Sequence, residues 1–338
     1  MNIRDAIGQI ISGKNLTTIE STNVFDEIMS GKATDAQIAA FIVALRMKGE
    51  TPEEITGAAT VMRNKATRVN HTITKHLIDT CGTGGDGAQT FNISTAAAFV
   101  AAGAGAIVAK HGNRSVSSGC GSADVLEALG VTITAEADIV RKCLEEIGIC
   151  FLFAPSMHQA MRYAIGPRKE IGVRSIFNIL GPLTNPAFAP AQLLGVFSPD
   201  LTETMAMVLK NLGTQRAYVV HGLDKLDEIS LCSETQVSEL ADGVIRTYRI
   251  RPEEFGFPRA SREDLLGGAA PDNAETIRSI FSGKKDPKRH VVVLNAAFAL
   301  SAAGIAKTPQ QGVALSEKSI DSGAALEKLR LLIEKTRP

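Results

Sequence analysis

Asp79-Thr-Cys-Gly-Thr-Gly-Gly-Asp-Gly87 is a glycine-rich loop between a β-like run and an alanine-rich helical run. Four glycines within residues 82–87 leave this backbone too unrestrained for a helix or a central strand. They also let backbone N–H groups approach a ligand closely. Asn92-Ile-Ser-Thr95 then supplies N-cap residues, so that the positive end of the next helix faces the loop. The segment therefore predicts a site for phosphate or pyrophosphate.

The same glycines allow a competing interpretation. Gly82, Gly84 and Gly87 fit the G-x-G-x-x-G fingerprint of dinucleotide-binding proteins. In that motif the helix begins within the glycines and the next strand ends in an acidic residue, whereas here the helix is predicted near Ser94 and the strand ends in Lys110. A nicotinamide site is the less favoured alternative. The chain has no G-x-x-x-x-G-K-[ST] sequence, which argues against a P-loop nucleotidase.

The region after residue 76 alternates between β-like and helical runs. The β-like runs are residues 77–80, 106–110, 149–153, 193–197 and 217–221, and the helical runs are 96–102, 123–129, 137–147 and 201–212. This alternation predicts a mostly parallel central sheet with helices on both faces and ligands at the carboxyl ends of the strands. Downstream, we expect a hairpin at 236–250 and helices at 273–281, 291–303 and 325–335.

Residues 3–69 carry a helical pattern and predict four helices, with capping signals at Thr17–Glu20 and Thr51–Glu54. Their leftover apolar surface either forms a dimer face or packs on the following domain; both remain open. Residues 156–178 are also predicted to be helical, and we expect this segment to return to the helical domain. The predicted domains are residues 1–70 with 165–190, and residues 71–164 with 191–338.

Length, charge and cysteine content limit the class of protein. A chain of 338 residues is long enough for two domains. With 36 basic and 36 acidic residues it has no general attraction to nucleic acids or acidic membranes. The five cysteines are scattered, and the N-terminus is unlike a secretory signal. The longest apolar run is interrupted by Gly103 and Gly105, so it does not predict a membrane span. We therefore expect a cytoplasmic protein without a nucleic-acid or membrane partner.

Four long motifs resemble the signatures of the anthranilate phosphoribosyltransferase family, and the resemblance extends over nearly the whole chain. They are residues 79–86, Asn92-Ile-Ser-Thr95, Lys110-His-Gly-Asn-Arg-Ser-Val-Ser-Ser118 followed by Gly121-Ser-Ala-Asp124, and Arg168-Lys-Glu-Ile-Gly-Val-Arg-Ser-Ile-Phe-Asn-Ile-Leu-Gly-Pro-Leu-Thr-Asn-Pro186. The resemblance implies a small N-terminal helical domain, a larger α/β domain like that of nucleoside phosphorylases, and an active site between them. It also implies a homodimer.

The activity implied by the resemblance is a step of tryptophan biosynthesis. The family transfers the 5-phosphoribosyl group from 5-phosphoribosyl 1-diphosphate to the amine of anthranilate and releases pyrophosphate, with magnesium, taken as two ions per subunit. The reaction is a displacement at C1 with inversion and an oxocarbenium-like transition state. Because an arylamine is uncharged near neutrality, no strong general base is required, and whether His111 or His158 accepts the proton stays open.

The resemblance also implies three sets of site residues. Those for phosphoribosyl diphosphate are Gly82, Thr83, Gly84, Gly85, Asp86, Thr90, Asn92, Ser94, Thr95, Lys110, Asn113, Arg114, Ser115, Ser117, Ser118 and Cys120. Those for anthranilate are Gly82, His111, Asn113, His158, Met161, Arg168, Gly181 and Pro182. The magnesium ligands are Ser94, Asp227 and Glu228, and the catalytic residues are Lys110, His111 and Arg168.

Simpler explanations exist for several of these residues. Adjacent carboxylates such as Asp227 and Glu228 are usually solvated loop charges, although magnesium prefers such oxygen ligands. Arg168 fits a carboxylate ligand as a planar fork, but it also fits a surface salt bridge. A lone histidine and a methionine, such as His158 and Met161, are otherwise more often packing residues. The rival functions are a pyrimidine nucleoside phosphorylase and a nucleic-acid-binding relative of the same fold; the neutral charge disfavours the latter.

Overall fold

The computed structural model describes residues 1–115 and 119–337, and its centre is a seven-stranded sheet. The strand order is β3-β2-β1-β4-β5-β6-β7, with the first five strands parallel and the last two antiparallel. The predicted mostly parallel sheet and the predicted hairpin at 236–250 are both confirmed. The strands are β1 Leu77–Gly82, β2 Ile107–Gly112, β3 Ile149–Phe153, β4 Ala191–Gly195, β5 Arg216–Gly222, β6 Thr235–Ala241 and β7 Val244–Ile250.

Four helices precede the sheet, as predicted. They are α1 Ile3–Ile11, α2 Thr18–Met29, α3 Asp35–Lys48 and α4 Pro52–Lys65. Both predicted capping boxes are present: Thr17 pairs with Glu20 at the start of α2, and Thr51 pairs with Glu54 at the start of α4. Each box satisfies backbone donors at a helix start that no intrahelical carbonyl can reach.

The remaining helices alternate with the strands or follow the hairpin. They are α5 Ile93–Gly103, α6 Ser122–Leu129, α7 Ala137–Lys142, α8 Ala154–Met157, α9 Arg162–Ile171, α10 Phe177–Leu180, α11 Leu201–Asn211, α12 Ala270–Phe281, α13 Pro287–Ala302, α14 Pro309–Asp321 and α15 Ala324–Thr336. Sequence reasoning did not identify α14, which carries few large apolar residues. Of the helices that the structure describes, none has the length and apolar character needed to cross a membrane.

The expectation of one helical stretch over residues 156–178 is wrong in detail. The chain leaves helical geometry at His158 (φ −119°, ψ 60°), and α9 ends at Gly172, whose φ of +63° lies in the left-handed region. Glycine tolerates that conformation at a helix end, whereas other residues are strained there. The result is three short helices, α8 to α10, and α9 contacts α2 and α3.

Two hydrophobic cores lie on opposite faces of the sheet. Along β4 and β5, Leu193 and Val220 belong to one core, and the alternate residues Leu194 and Val219 belong to the other. Helices α5 and α13 pack in the first core, while α11 and the N-terminal helices pack in the second. The N-terminal helices therefore bury apolar surface against the α/β part of the chain, which was one of the two explanations left open.

Two of the connections between the helical part of the chain and the sheet, residues 66–76 and 184–190, run side by side. The Val69 amide donates to the carbonyl of Pro186 at 3.2 Å, and His71 Nε2 lies 2.9 Å from the carbonyl oxygen of Ala187. The guanidinium of Arg68 lies 4.6 Å from the ring centroid of Phe188. These contacts tie the two connections to each other.

Candidate active site

The predicted site residues meet at the carboxyl ends of β1, β2 and β5. Lys110 Nζ, at the end of β2, lies 3.4 Å from the hydroxyl of Ser94, which opens α5. The Ser94 amide donates to Glu228 Oε1 at 3.1 Å, and the Gly84 amide donates to Asp227 Oδ2 at 2.8 Å. Parallel strands end at the same edge of a sheet, so segments far apart in the sequence converge here.

The glycine loop needs its glycines for two separate reasons. Gly84, Gly85 and Gly87 have φ values of +66°, +75° and +70°, a region that L side chains rarely adopt. Gly82 is required by space instead, because a Cβ there would lie 2.6 Å from Asp227 Oδ2. The loop can therefore lie against the carboxylate pair only with glycine at these positions.

Two of the four loop amides assigned to the diphosphate donate within the protein instead. The Thr83 amide donates to the carbonyl of Gly195 at 2.9 Å, and the Gly84 amide donates to Asp227. A half-buried carboxylate needs donors to offset its lost hydration, and Asp227 takes the amide that sequence reasoning gave to the ligand. In this structure the Thr83 and Gly84 amides therefore already have protein acceptors.

The start of α5 also differs from the expected capping pattern. Asn92 is the N-cap residue, but its side chain makes no capping hydrogen bond. The positive end of the helix faces Glu228 through the Ser94 amide. The Thr95 hydroxyl is fully buried and has no hydrogen-bond partner in the described part of the chain.

The carboxylates at this edge are crowded. Asp86 Oδ2 accepts from the Asp227 amide at 3.3 Å. Burial, together with the neighbouring charges of Asp86 and Glu228, raises the pKa of Asp227 well above its ordinary value. Burial raises the pKa of Glu228 to about 7, although Lys110 opposes the shift. Burial and mutual repulsion at this edge thus outweigh the charge of Lys110.

These residues fit a divalent cation that prefers oxygen ligands. Asp227, Glu228 and the Ser94 hydroxyl offer oxygen donors, which suit magnesium. Within the described residues, no three His, Cys, Asp or Glu side chains cluster as a metal site. Magnesium in proteins usually takes one or two carboxylates and completes its shell with water and substrate phosphates.

Lys110 lies in the interior below the loop and is 3 % exposed. Its ammonium donates to the Thr80 carbonyl at 2.5 Å as well as contacting Ser94. Burial lowers the pKa of Lys110, and the nearby Asp79 carboxylate opposes that shift. Asp79 Oδ1 in turn accepts from the His111 amide at 3.0 Å, so this buried acid fixes the end of β2.

His111 and His158 form a buried pair. Their Nε2 atoms lie 3.2 Å apart, and His111 Nδ1 lies 3.2 Å from the Gly181 carbonyl oxygen. Because a carbonyl only accepts, Nδ1 of His111 carries the proton, and His158 Nε2 donates to the bare Nε2 of His111. Burial lowers the pKa of His111 to about 3 and that of His158 to about 4, so both rings are neutral near pH 7.

Arg168 lies on α9 and has its guanidinium 5.1 Å from the ring centroid of Phe177. Within residues 1–115 and 119–337 it has no hydrogen-bond or ion-pair partner, so the surface salt bridge considered from the sequence is absent there. Burial lowers the pKa of Arg168. A half-buried guanidinium without an anion is suited to bind a carboxylate ligand.

Met161 lies beside the histidine pair rather than against Arg168. Together with His158 and Ala160 it lines a narrow cavity closed by Met29 and Met62 from α2 and α4. Gly181 contacts His111, and Pro182 is buried beside it, with its carbonyl accepting from Gln192. The residues predicted for an aromatic ligand thus lie where the N-terminal helices meet the sheet.

The basic loop after β2 is partly engaged with α6. Arg114 forms ion pairs with Asp124 at 2.9 Å and Glu127 at 2.5 Å, and the Ser115 amide donates to Asp124 at 3.1 Å. Arg114 is therefore paired with carboxylates at α6 rather than with Asp227 or Glu228. Asn113 is exposed, and its side chain accepts from the Arg114 amide. Ser117 and Ser118, also predicted to bind phosphate, lie outside the described residues.

The structure also brings Arg174 to the site, which sequence reasoning missed. Its guanidinium donates to the Gly85 carbonyl and lies 4.4 Å from the ring centroid of Phe197. Arg174 lies inside the family-like motif that begins at Arg168, so its position in the sequence does carry a signal. Its hydrogen bond to Gly85 joins the segment after α9 to the glycine loop that follows β1.

Comparisons with known proteins agree with this architecture. The helical bundle domain of a glycosyl transferase family matches residues 4–66, and the a/b domain of that family matches residues 74–326. The chain is 57 % identical to an anthranilate phosphoribosyltransferase of Moorella thermoacetica, covering 98 % of this chain and 97 % of that protein. It is 59 % identical to an anthranilate phosphoribosyltransferase of Desulfosudis oleivorans, covering 98 % of each.

Solved structures of the same kind superpose closely. The crystal structure of anthranilate phosphoribosyltransferase from Thermus thermophilus has a TM-score of 0.93 at 43 % identity and covers 99 % of this chain and 100 % of its own. The Saccharomyces cerevisiae enzyme in complex with PRPP and Mg has a TM-score of 0.90 at 26 % identity, covering 99 % and 97 %. A complex of the yeast enzyme with 4-fluoroanthranilate has a TM-score of 0.88 at 25 % identity, with the same coverage.

Proposed function

Since the chain belongs to the anthranilate phosphoribosyltransferase family, we propose that it transfers the 5-phosphoribosyl group of 5-phosphoribosyl 1-diphosphate to the amine of anthranilate and releases pyrophosphate. It is a pentosyltransferase of tryptophan biosynthesis. The observation that carries the proposal is the contact between the Gly84 amide and Asp227, which joins an anion-binding loop to a carboxylate pair suited to magnesium.

The metal would be held by Asp227, Glu228 and the Ser94 hydroxyl, with two ions per subunit shared with the diphosphate. When bound, magnesium supplies positive charge that stabilises the departing pyrophosphate. The crowding of Asp227, Asp86 and Glu228, which raises the pKa of Asp227, supports this assignment. Yeast relatives crystallised with Mg support magnesium as the ion.

The diphosphate sugar would lie along the glycine loop and the start of α5. Lys110 and the Ser94 hydroxyl, which contact each other, would supply a cation and a hydroxyl donor to the phosphoryl oxygens. Because the Thr83 and Gly84 amides already have acceptors, the binding role falls to the other groups of the predicted set. Those groups are Gly82, Gly85, Asp86, Thr90, Asn92, Thr95, Asn113, Ser115, Ser117, Ser118 and Cys120. Thr83, Gly84 and Arg114 would have to leave their present protein partners to take part.

Anthranilate would bind on the other side of the site. Arg168, which lacks an anion in the described structure, would pair with the carboxylate. His111 and His158 would face the aromatic ring, together with Met161, Gly181 and Pro182; Gly82 and Asn113 complete the predicted set. Neutral rings suit an aromatic ligand, because a protonated pair would place two positive charges beside the amine.

The reaction then forms an N–C1 bond as the C1–O bond to pyrophosphate breaks. The amine also loses a proton, for which the buried His111 and His158 are weak acceptors, because burial disfavours the charged form of both rings. Catalysis rests mainly on holding the amine and C1 in line and on neutralising the charge of the leaving group, with Lys110 as the protein's own cation. A strong general base is unnecessary for an uncharged arylamine.

The domain division, assembly and location belong to the same proposal. The contacts of α9 with α2 and α3 support a helical domain of residues 1–70 with 165–190, beside an α/β domain of residues 71–164 with 191–338. Ile11, Ile19 and Met47 are 73 %, 74 % and 83 % exposed, which supports a homodimer through the N-terminal helices. The free thiols of all five cysteines support a cytoplasmic protein.

The direct test is to incubate the protein with anthranilate, phosphoribosyl diphosphate and magnesium and to follow the loss of anthranilate fluorescence. Thymidine with inorganic phosphate is the matched control for a nucleoside phosphorylase. We expect turnover only with anthranilate and only while magnesium is free. Phosphorolysis of thymidine, or equal turnover in excess chelator, would contradict the proposed function.

A further inference from the structure

The segment that carries Thr90 and Asn92 is held by a part of the chain far away in the sequence. Thr90 forms an antiparallel bridge with Leu266. On either side of it, the Phe91 amide donates to the Leu265 carbonyl at 3.3 Å, and the Gly267 amide donates to the Gln89 carbonyl at 2.9 Å. Residues 265–267 thus pair with residues 89–91 like a short added strand.

Three further contacts keep this pairing in place. Gly267 allows it, because a Cβ there would lie 2.6 Å from the backbone nitrogen of Phe91. Lys288 Nζ donates to the Leu266 carbonyl at 2.7 Å and lies 5.5 Å from the ring centroid of Phe91. Arg262 donates to the carbonyl of Gly87 at 3.2 Å. We call residues 265–273 the clamp.

Asn273 is the member of the clamp that reaches a predicted ligand-binding side chain. It lies in the first turns of α12 and is 1 % exposed. Its Nδ2 donates to Asn92 Oδ1 at 3.1 Å, and its Oδ1 accepts from the Gly268 amide at 2.8 Å. Asparagine is a poor residue for a helix interior, so these contacts, rather than helix formation, explain its place.

The carboxamide of Asn92 is nearly saturated by protein partners. Its Oδ1 accepts from Asn273 and from the Cys120 thiol at 3.4 Å, while its Nδ2 donates to the Cys120 carbonyl at 3.1 Å. A carboxamide has two N–H donors, so one N–H of Asn92 is left for a ligand. With the oxygen side held by Asn273, that N–H has a fixed direction.

We propose that Asn273 is a positioning residue for the diphosphate sugar, acting through Asn92 without touching the substrate. It orients the remaining N–H of Asn92 and ties the start of α5 to the start of α12. The inference rests on the proposed function, because it concerns the same phosphoribosyl diphosphate subsite. Part of the geometry of that subsite then depends on α12, which lies outside all four family-like motifs.

The test uses two substitutions that share one lost interaction. Asn273→Asp keeps the acceptor for Gly268 but puts an oxygen opposite Asn92 Oδ1, and Asn273→Ala removes both groups without adding charge. Because both lose the donor to Asn92, we expect each to raise the KM for phosphoribosyl diphosphate by roughly 10-fold. The KM for anthranilate should stay within about 2-fold of wild type, since the two hydrogen-bond partners of the Asn273 carboxamide, Asn92 and Gly268, are not among the residues predicted for anthranilate.

Ser319→Ala is the matched control. The buried Ser319 hydroxyl on α14 donates to the Val100 carbonyl at 2.8 Å, so this change removes a buried hydrogen bond to the opposite end of α5. We expect it to lower Tm as much as the Asn273 variants do while leaving both KM values unchanged. A rise in KM for the diphosphate sugar equal to that of the Asn273 variants would reduce Asn273 to a structural role.

A measurement independent of turnover separates the two proposals. Hydrogen exchange at the Phe91 and Gly267 amides should be faster in both Asn273 variants than in Ser319→Ala. Lack of wild-type turnover, with this exchange pattern intact, would contradict the proposed function and not the clamp. Unchanged exchange, or an unchanged KM for the diphosphate sugar in both Asn273 variants of an active enzyme, would overturn the positioning role.

Discussion

His158 and His111 face each other with their Nε2 atoms 3.2 Å apart, and both side chains are buried. Burial holds the pKa of His111 at about 3 and that of His158 at about 4, whereas a histidine in an unfolded chain titrates near 6.5. Between these values the unfolded state binds more protons than the folded state. The free energy of unfolding therefore falls as the pH falls from about 6.5 towards 4.

Replacing one member of the pair should remove part of this acid sensitivity. For His158→Gln, we expect the loss of unfolding free energy between pH 7 and pH 4.5 to be smaller than in wild type by about 2 kcal/mol. Urea denaturation at the two pH values measures it. The control interval is pH 7 to pH 8, where both histidines are mostly neutral in the folded and unfolded states, so the difference between the two proteins should change little. Equal losses in both proteins on acidification would contradict the neutral pair.

Arg168→Ala should weaken anthranilate binding selectively. The change removes a half-buried cation that has no anion among the described residues, so the loss should fall on the carboxylate of the substrate. A hydrogen bond to a charged group contributes about 1.5 to 3 kcal/mol, which corresponds to a rise in the KM for anthranilate of roughly 10- to 100-fold. Lys169→Ala, an exposed neighbour on α9, is the control. An equal rise in the KM for both substrates would argue against a carboxylate role.

Neutralising the carboxylate pair should abolish the magnesium response. For Asp227→Asn with Glu228→Gln, we expect turnover to fall by on the order of 100-fold or more, because the charge of the leaving group is no longer neutralised. Tm should no longer rise when magnesium and diphosphate sugar are added together. Asp242→Asn, in the turn between β6 and β7, is the control and should keep both responses. A normal magnesium titration in the double variant would refute the metal site.

Arg174→Ala should loosen the glycine loop. The substitution removes the donor to the Gly85 carbonyl, at a residue whose φ of +75° only glycine adopts readily. We expect a rise in the KM for phosphoribosyl diphosphate of roughly 3- to 10-fold, from the loss of one hydrogen bond of about 1 kcal/mol. Steady-state kinetics at saturating anthranilate measures it. Arg162→Ala on α9 is the control; a matching rise there would indicate a general effect of lost charge.

Local patterns were sufficient for most of the fold. The alternation after residue 76 predicted the sheet, and the capping signals at Thr17 and Thr51 marked real helix starts. Helix α14 was missed because its sequence has a weak apolar pattern and its packing against α13 is a tertiary effect. The stretch at 156–178 failed for two reasons: His158 itself carries no local signal of a break, and Gly172, which does carry one, was read as part of the helix.

The site was only partly accessible to the same reasoning. Asp227 and Glu228 look like solvated loop charges, and only the resemblance marked them. Contacts such as Arg174 with Gly85 and Asn273 with Asn92 join residues 89 and 181 positions apart, where no local spacing rule applies. The sequence also could not show that the Gly84 amide donates to Asp227, because each of these two residues is an equally plausible partner for a ligand.

The side-by-side run of residues 66–76 and 184–190 limits how the molecule can move. Two strips of chain bonded together resist twisting separately, so any shift of the bundle relative to the sheet has to flex both strips together. The Arg68 guanidinium against the Phe188 ring adds to this link. The separation between Arg168 and the carboxylate pair therefore depends in part on the stiffness of this double strip.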